Sequence, residues 1–242
     1  MSEKWLTGRV IENRRWTETL FSLRVEGAQL RYEAGQFVRI ALDINGERVA
    51  RAFSFVNPPD DPVLEFYGVI VPEGPLSPRL AKLNAGDALY VASNPAGFLV
   101  LSEVPNAETL WLVATGTGLA PFLSILRTEA PWRRFKNVVL VHAVRYASEL
   151  TYREVIRAMP ARYVTFVSRE AAPGSLAGRI PAAITDGRLE NAAGLALTAQ
   201  SSHVMLCGNP QMLRDATAAL AARGMRKHRR RASGHITVES FW

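Results

Sequence analysis

The spacing of apolar segments changes near the middle of this 242-residue chain. Up to residue 101, short segments with β character follow one another closely, which is typical of an antiparallel barrel or sandwich. From about residue 108, apolar runs alternate with helical stretches, the pattern of a parallel, doubly wound α/β sheet. We therefore predict an all-β domain at 1–104 and an α/β domain at 105–242, with the boundary near Pro105.

The first half is predicted to contain six strands, separated by turn residues. They cover residues 5–14, 19–25, 36–42, 47–56, 63–71 and 87–93. Asn45-Gly46 lies between two of them and is the strongest short hairpin signal that a sequence offers. A single helix is predicted within 77–83, with Ser77 as its N-cap and Pro78 at the first helical position.

The second half is predicted to contain five buried strands. They cover residues 109–114, 138–144, 163–168, 203–208 and 235–241. The clearest helix spans 210–223, where Asn209 is a suitable cap, Pro210 a suitable first residue and Gly224 a suitable stop. No internal repeat accompanies this alternation, so it indicates one α/β domain.

Cys207 is the only cysteine of the chain. One cysteine excludes an internal disulfide and a zinc finger built on cysteines. It also excludes an iron–sulfur cluster held by four thiolates of this chain. The four histidines lack the spacing of metal ligands, so we predict no metal site. If the protein is a redox enzyme, its carrier must be an organic cofactor.

The formal net charge of +7 comes almost entirely from residues 223–231, which hold six Lys/Arg and no acid. The rest of the chain has 23 basic and 22 acidic residues. A basic arm of this kind is one way to bind nucleic acid, but the run lacks interleaved aromatic residues. Residues 1–16 show no apolar signal core, and no run approaches the ~20 apolar residues that span a bilayer. We expect a soluble cytoplasmic protein with no membrane partner.

Thr115–Pro121 (Thr-Gly-Thr-Gly-Leu-Ala-Pro) follows a predicted strand and opens a predicted helix. Glycines in this position let a backbone approach a pyrophosphate, and the helix start supplies oriented N–H groups. The alternative is a tight strand-to-helix turn without a ligand. Pro121 also departs from the usual dinucleotide fingerprint, which ends in Gly or Ala.

Two shorter motifs lie in the first half. Arg51–Ser54 (Arg-Ala-Phe-Ser) offers a cation for a phosphate, a ring for stacking and a hydroxyl for a hydrogen bond. Pro75–Arg79 (Pro-Leu-Ser-Pro-Arg) is a helix start that could face an anion. Taken alone, the first is more often a strand with an edge arginine, and the second a plain helix cap.

Arginines follow the predicted strands where a dinucleotide domain selects its cofactor. A domain that prefers NAD places an acid near the end of its second strand, but here that strand ends in Val144-Arg145, with no acid until Glu149. The third ends in Ser168-Arg169, and Arg179 follows ten residues later. Three arginines suit a 2′-phosphate, although each alone could be a solvated surface residue.

Five segments, in this order and spacing, resemble the ferredoxin–NADP reductase family, and most of all its short bacterial ferredoxin/flavodoxin–NADP reductases. They are Arg51–Ser54, Phe66–Val69, Pro75–Pro78, Thr115–Pro121 and Cys207–Pro210. The resemblance runs from Trp5 to the last residues. It implies a six-stranded antiparallel β-barrel that binds FAD, followed by a doubly wound α/β domain that binds NADP.

The resemblance also implies roles for residues of the barrel. Arg51 would pair with the FAD pyrophosphate, helped by the helix start. Phe53, where the family commonly has tyrosine, would stack on the flavin, and Ser54 would approach its reactive N5 edge. Further FAD contacts are implied for Ala52, Tyr67, Gly68, Val69, Ile70, Pro75, Leu76, Ser77 and, from the second domain, Thr117.

For the second domain, the resemblance implies NADP contacts from three groups of residues. These are Thr115 and Gly116; Val144, Arg145, Ser168, Arg169 and Arg179; and Gly208, Asn209, Pro210, Gln211, Met212 and Asp215. Asp215 could equally be a helix-surface carboxylate. Cys207 would lie beside the nicotinamide without acting as a nucleophile, although a lone buried cysteine is usually an inert small hydrophobe.

The chain ends in Glu239-Ser-Phe241-Trp242. The resemblance implies that Phe241 covers the free flavin face and yields to nicotinamide, that Trp242 packs near the FAD adenine, and that Glu239 is a candidate proton donor. The alternative is a last strand whose aromatic residues complete the core.

The expected function is electron transfer between NADP(H) and a ferredoxin or flavodoxin through FAD, in a monomer. The alternatives are a flavin reductase that releases reduced flavin and, more remotely, a nucleic-acid-binding protein.

Overall fold

The computed structural model describes residues 3–240. The N-terminal half forms one antiparallel sheet in the order β4-β3-β6-β1-β2-β5. Its strands are β1 (Trp5–Arg15), β2 (Leu20–Glu26), β3 (Phe37–Ile44), β4 (Glu47–Ser54), β5 (Leu64–Val69) and β6 (Ala88–Ala92). Asn45 (φ 51°) and Gly46 (φ 82°) join β3 to β4 in the predicted hairpin turn.

The two edge strands of this sheet meet, so it closes into a barrel. Beyond the end of β4, Phe55 forms an isolated antiparallel bridge with Phe66 of β5. Next to it, the N–H of Val56 donates to the carbonyl of Glu65 at 2.9 Å. The predicted six-stranded antiparallel barrel is confirmed.

The C-terminal half forms a parallel sheet in the order β10-β9-β8-β7-β11-β12. Its strands are β7 (Thr109–Thr115), β8 (Asn137–Val144), β9 (Arg162–Val167), β10 (Leu176–Ala177), β11 (Ser202–Gly208) and β12 (Ile236–Ser240). All five predicted strands are present, and the doubly wound sheet is confirmed. The two-residue β10 was not predicted, because it is too short to produce a periodic pattern.

Seven α-helices connect the strands within residues 3–240. They are α1 (Ser77–Leu80), α2 (Ala120–Leu126), α3 (Ala130–Arg134), α4 (Arg153–Arg157), α5 (Ile180–Thr185), α6 (Arg188–Ala193) and α7 (Pro210–Ala221). Single 3₁₀ turns occur at Leu101–Glu103, Gly116–Leu119 and Ala147–Glu149. None of the helices in this part of the chain is long and apolar enough to cross a lipid bilayer.

Alternation along each strand divides the buried side chains among three main clusters. One fills the barrel, around Phe21, Ile40 and Phe66. A second lies under α5, α6 and α7, where Trp111 and Val113 of β7 point. A third covers the opposite face of the parallel sheet and also includes barrel residues such as Tyr67. The two halves therefore share one of their cores.

The predicted cap of α1 is wrong. The helix begins at Ser77, and Leu76 occupies the N-cap position without a side-chain hydrogen bond. The Ser77 hydroxyl instead accepts the N–H of Val71 at 2.9 Å. It therefore fixes the chain that leaves β5, which sequence spacing could not show.

Candidate functional site

Several of the predicted site residues within the described part of the chain lie where the carboxyl ends of the parallel strands meet the barrel. Ser54, the last residue of β4, pairs with Phe37, and Phe37 also forms a bridge with Ala96. The next residue, Gly97, lies against both the Phe37 ring and the carboxylate of Glu239 on β12. On the other side of the site, β5 contacts the Gly116–Leu119 turn.

On the barrel side, burial increases along the Arg51–Ser54 motif, from solvent towards the core. Arg51 and Ala52 are exposed, Phe53 is half-buried and Ser54 is buried. The Ser54 hydroxyl has no hydrogen-bond partner among the described residues. A buried hydroxyl without a partner is costly, so Ser54 fits a bound group that supplies one. The guanidinium of Arg51 donates to the carbonyl of Ala50 at 2.7 Å and still has several N–H groups for an anion.

Gly68 of β5 lies directly behind the Phe53 ring. A Cβ at this position would lie 2.9 Å from Phe53 Cε1 and 2.8 Å from Phe21 Cζ. Only glycine therefore lets Phe53 settle onto β5, with its ring edge-on to Phe66 at a centroid distance of 6.4 Å. This packing fixes the orientation of the ring that is predicted to stack on a flavin.

Tyr67 faces away from the barrel interior and is buried. Its hydroxyl accepts a hydrogen bond from Thr151 at 2.9 Å, and its ring packs edge-on to Tyr152 at 5.3 Å. Burial raises the pKa of the Tyr67 hydroxyl well above its usual value. The side chain thus belongs to the interface between the halves, while Val69 and Ile70 beyond it are half-buried.

Pro75 and Leu76 form the turn into α1. Leu76 is buried in the barrel core, and the Pro75 carbonyl accepts the Arg79 guanidinium at 2.7 Å. These two contacts hold the turn just beyond β5, where the motif was predicted to support an anion.

The Thr115–Gly118 turn is bonded to the end of β11. The Thr115 hydroxyl accepts the N–H of Asn209 at 2.9 Å. Gly208 has φ 130°, and a Cβ there would lie 2.2 Å from the Thr115 hydroxyl. Because no other residue fits, glycine at 208 allows the two strand ends to meet. Thr117 is buried behind this turn, while the space beside Gly116 is open.

His142 supports the same turn and was not predicted to have a role. Its Nε2 lies 3.2 Å from the carbonyl of Gly116. Complete burial lowers the pKa of His142 to about 4, so the ring is neutral at physiological pH and Nε2 can donate to that carbonyl. No motif in the sequence marks this contact, because it joins neighbouring parallel strands.

The predicted start of α7 is confirmed. The Asn209 side chain accepts the N–H groups of Gln211 at 2.9 Å and Met212 at 3.2 Å, and Pro210 occupies the first turn. The Gln211 amide donates to Asp215 at 2.7 Å, so this carboxylate is held on the exposed side of the helix start.

Cys207 and Glu239 are direct neighbours on β11 and β12. Cys207 is fully buried, and burial raises the pKa of its thiol well above the usual value, so it is not a thiolate nucleophile at neutral pH. Burial also raises the pKa of Glu239 to about 7, although the N–H of Phe98 partly offsets this. One Glu239 oxygen, Oε1, is buried without a hydrogen-bond partner among the described residues.

The three predicted arginines are exposed at one edge of the parallel sheet. The N–H of Arg169 donates to the carbonyl of Arg145 at 2.9 Å, and the Ser168 hydroxyl donates to Val144 at 3.2 Å. Arg179 follows β10, which pairs with β9 near the same edge. The fold therefore brings three cations, far apart in sequence, to neighbouring strand ends.

Two family models match the chain: an oxidoreductase FAD-binding domain at residues 9–99 and an oxidoreductase NAD-binding domain at residues 112–218. The flavodoxin/ferredoxin–NADP reductase of Shigella flexneri is 54% identical over 245 residues, covering 98% of this chain and 99% of that protein. The protein of the same name from Escherichia coli K12 matches equally, at 54% identity. The chain belongs to the flavodoxin/ferredoxin–NADP reductase family.

A solved structure supports the cofactors of this reductase. A ferredoxin NADP⁺ reductase from Neisseria gonorrhoeae, with bound FAD and NADP, superposes with a TM-score of 0.96 at 32% identity and covers 100% of both chains. This chain is an FAD-dependent NADP(H) oxidoreductase, as predicted. Its own residues fit that chemistry, because the unpartnered Ser54 hydroxyl lies on the barrel side and the open Gly116 turn on the other.

Two of the six cations in the basic run at 223–231 are bound to acidic residues of the same chain. The Arg223 guanidinium is bound to Glu190 and to the carbonyls of Ile184 and Leu197. Arg230 pairs with Glu103 at 2.7 Å and lies over the ring of Phe98. Arg230 is itself exposed, as are the other four cations of the run: Arg226, Lys227, Arg229 and Arg231.

Phe241 and Trp242 lie outside the described residues, so the structure does not bear on their predicted positions over the flavin and adenine. The strand that leads to them, β12, is present and ends beside Gly208 of β11.

Proposed function

We propose that this reductase passes electrons between NADP(H) and a separate acidic carrier protein, a ferredoxin or a flavodoxin. The observation that carries the proposal is that two buried oxygens, Ser54 Oγ and Glu239 Oε1, have no hydrogen-bond partner among the described residues. Both lie near the Ala96–Phe98 segment: Ser54 pairs with Phe37, which bridges Ala96, and the Glu239 carboxylate lies against Gly97. A hydroxyl and a protonated carboxyl placed there suit the reacting edge of a flavin.

Bound FAD would supply an acceptor for a hydride from NADPH and a donor of single electrons to the carrier. In this proposal Arg51 holds the pyrophosphate, with help from the Pro75–Ser77 turn, and Phe53 provides the stacking face. Ser54 donates to the flavin edge, and the backbone of Ala52 and of the segment from Tyr67 to Ile70 lines the cofactor. Phe53 stacks as a tyrosine would but lacks its hydroxyl, which removes one hydrogen bond.

For NADP, we propose that the open turn at Thr115–Thr117 and the start of α7 hold the diphosphate and nicotinamide ends. The edge formed by Val144, Arg145, Ser168, Arg169 and Arg179 would hold the 2′-phosphate. Charge-assisted, bidentate contacts from arginine are the usual means of binding such a group. Asp215, fixed by Gln211, would contact the adenine ribose.

Cys207 and Glu239 are proposed to shape the nicotinamide end. The thiol stays protonated and supplies a small apolar wall. The Glu239 carboxyl, with its pKa raised to about 7, holds a proton near neutral pH and can deliver it. Phe241 is proposed to cover the flavin face and Trp242 the adenine; deleting both should strengthen the charge-transfer band with NADP⁺, and an unchanged band would contradict this.

The carrier is proposed to dock on the exposed cations of the 223–231 run. Ferredoxins and flavodoxins are acidic as a class, and opposite charges raise association rates.

We further propose that the protein is a cytoplasmic monomer with a domain boundary between residues 104 and 105. Sedimentation of the purified protein, cell fractionation and separate expression of the two segments test these three points.

The experiment that tests the function begins with an absorbance spectrum of the purified protein. A retained flavin doublet identified as FAD, with NADPH-driven reduction of a ferredoxin or flavodoxin from the same genome, is the expected result. Loss of flavin on gel filtration, together with fast reduction of free FMN, would instead identify a flavin reductase. A colourless protein that retards DNA would identify a nucleic-acid-binding protein.

A further inference from the structure

Glu65 joins the two halves of the protein through both of its carboxylate oxygens. It lies on β5, where its N–H donates to the side chain of Asn57 at 2.8 Å. Across the interface, Oε2 accepts the Arg127 guanidinium at 2.9 Å, and Oε1 accepts the Tyr152 hydroxyl at 2.8 Å. The Glu65 side chain is only 13% exposed, so these bonds are largely shielded from water.

Arg127 follows the last residue of α2 and binds this end of the helix to the barrel. The same guanidinium nitrogen that binds Glu65 also lies 3.3 Å from the carbonyl of Val56, where β4 and β5 close the barrel. One turn earlier in α2, the buried Ser124 hydroxyl donates to the carbonyl of Asn57 at 2.7 Å. The C-terminal end of α2 is thus bonded to the chain on either side of the barrel closure.

Tyr152 adds a second attachment, and its backbone is strained. It has φ 55°, in the left-handed region that non-glycine residues avoid. Among the described residues, the only other non-glycine with positive φ is Asn45, in a hairpin turn that favours asparagine. The Tyr152 ring is buried between Trp16, at a centroid distance of 4.6 Å, and Tyr67, at 5.3 Å. Strain of this kind persists only where its surroundings impose it, and it often marks function.

We propose that Glu65, Arg127 and Tyr152 are positioning residues that fix the distance between the flavin and nicotinamide rings. We call these three residues the interface clasp. The inference rests on the proposed function, because it concerns the site where the two cofactors meet.

The clasp is well placed for this role, because it connects two rigid elements of the site. Gly68 follows Glu65 by three residues along β5 and lies behind the Phe53 ring. On the other side, α2 is buried along its whole length and runs from the Gly116–Leu119 turn to Arg127. A shift at the clasp would therefore change the spacing between the flavin-facing strand and the nucleotide-binding turn. Hydride transfer requires the reacting atoms to approach to about 3–3.5 Å, and a misplacement of about 1 Å can cost roughly 100-fold in rate.

The simpler view is that the clasp only stabilises the fold. The two views make different predictions for Tyr152→Phe, which removes the hydroxyl and keeps the ring and the positive φ. If the clasp positions the rings, the hydride-transfer step slows while FAD and NADP⁺ still bind. If the clasp only stabilises, the melting temperature falls and the chemistry at lower temperature is unchanged.

The test uses FAD-loaded protein, well below its melting temperature, with Tyr152→Phe and Glu65→Gln as the variants. Glu12→Gln is the matched control, because Glu12 pairs with Arg24 at 3.3 Å on the exposed barrel surface. Two quantities are measured: the charge-transfer band when protein with photoreduced flavin is titrated with NADP⁺, and the single-turnover rate of flavin reduction by NADPH and by NADPH deuterated at C4.

We expect both variants to reduce their flavin about 10- to 100-fold more slowly, in line with a displacement of up to about 1 Å, with a full deuterium isotope effect. We also expect a weaker charge-transfer band and an NADP⁺ dissociation constant within about 3-fold of that of the unmodified protein. Glu12→Gln should change none of these values.

An unchanged band and an unchanged rate in Tyr152→Phe would overturn the inference, whatever the melting temperature. If Glu65→Gln fails to fold, Tyr152→Phe alone decides. If NADPH does not reduce the flavin of the unmodified protein, the proposed function itself is refuted. The NADP⁺ charge-transfer bands of the variants and the unmodified protein would then still test the role of the clasp.

Discussion

Replacing Glu239 by glutamine should make the protein more stable, and increasingly so as the pH rises. Glu239 lies beside Cys207 on neighbouring strands, and one of its oxygens is buried without a partner among the described residues. Burial raises the pKa of this carboxyl in the folded protein to about 7, from an ordinary value of 4.5. The folded state therefore keeps a proton that the unfolded chain releases.

The size and sign of the effect follow from this difference. Between pH 4.5 and 7 the folded protein binds more protons at this position than the unfolded chain does, so stability falls as the pH rises. Below pH 4.5 the carboxyl is protonated in both states and costs nothing. Above pH 7 the whole cost is present, and a shift of this size corresponds to roughly 3 kcal/mol. Glutamine matches the protonated form in shape and does not titrate.

Urea unfolding at several pH values between 4.5 and 8, at a fixed FAD concentration, measures this effect. The free energy of unfolding of Glu239→Gln, relative to the unmodified protein, should rise by roughly 3 kcal/mol across the range and level off near pH 8. Glu12→Gln, on the exposed barrel surface, serves as the control and should follow the unmodified protein. Parallel curves for Glu239→Gln and the unmodified protein would show that the carboxyl is solvated in solution, and the proposed proton donor would lose its basis.

Three further predictions concern the cofactors and the carrier. Arg145→Ala and Arg169→Ala should each raise the KM for NADPH about 10- to 100-fold, as expected for the loss of one charge-assisted contact, and should leave NADH turnover nearly unchanged. Equal losses of activity with NADPH and NADH would show that these arginines are structural. Arg51→Ala should weaken FAD retention more than Arg179→Ala does, and FMN should not replace FAD well. Reconstitution of the apoprotein with each flavin measures both affinities. Comparable affinity for FMN and FAD would contradict the placement of Arg51. Reversing the charge of Arg229 and Arg231 should slow electron transfer from pre-reduced enzyme to an acidic carrier at low salt, because it removes the attraction that salt otherwise screens. The rate with ferricyanide should change little. A stopped-flow rate with the carrier that does not depend on salt would exclude a docking role for this run.

The strands and the fold class could be predicted because each depends on local pattern. Alternation at period two marks the barrel strands, and continuous apolar runs mark the parallel ones. The cap at Asn209 was also predictable, since its side chain bonds to Gln211 and Met212, two and three residues later. The arginines at the strand ends could be proposed for a different reason: once a parallel sheet is predicted, the ends of its neighbouring strands must lie together.

The interface clasp and the role of Arg223 could not be predicted, because they depend on contacts between distant parts of the chain. Glu65 meets Arg127 across 62 residues and Tyr152 across 87, and no motif connects them. Arg223 resembled the other cations of the basic run, yet it bonds to Glu190, 33 residues away. Ser77 shows a related limit, since a hydroxyl before proline suits a cap but here binds the chain beyond β5.

One polypeptide is proposed to take a hydride from NADPH and to deliver electrons to a separate protein. The most direct measurement is an anaerobic stopped-flow experiment in which FAD-loaded enzyme is mixed with NADPH and a ferredoxin or flavodoxin from the same genome. We expect the flavin absorbance to fall first and the carrier to be reduced next, at a rate that depends on carrier concentration and falls with salt. Flavin reduction by NADPH without any reduction of these carriers, while free flavin is readily reduced, would contradict the proposed transfer to a carrier protein.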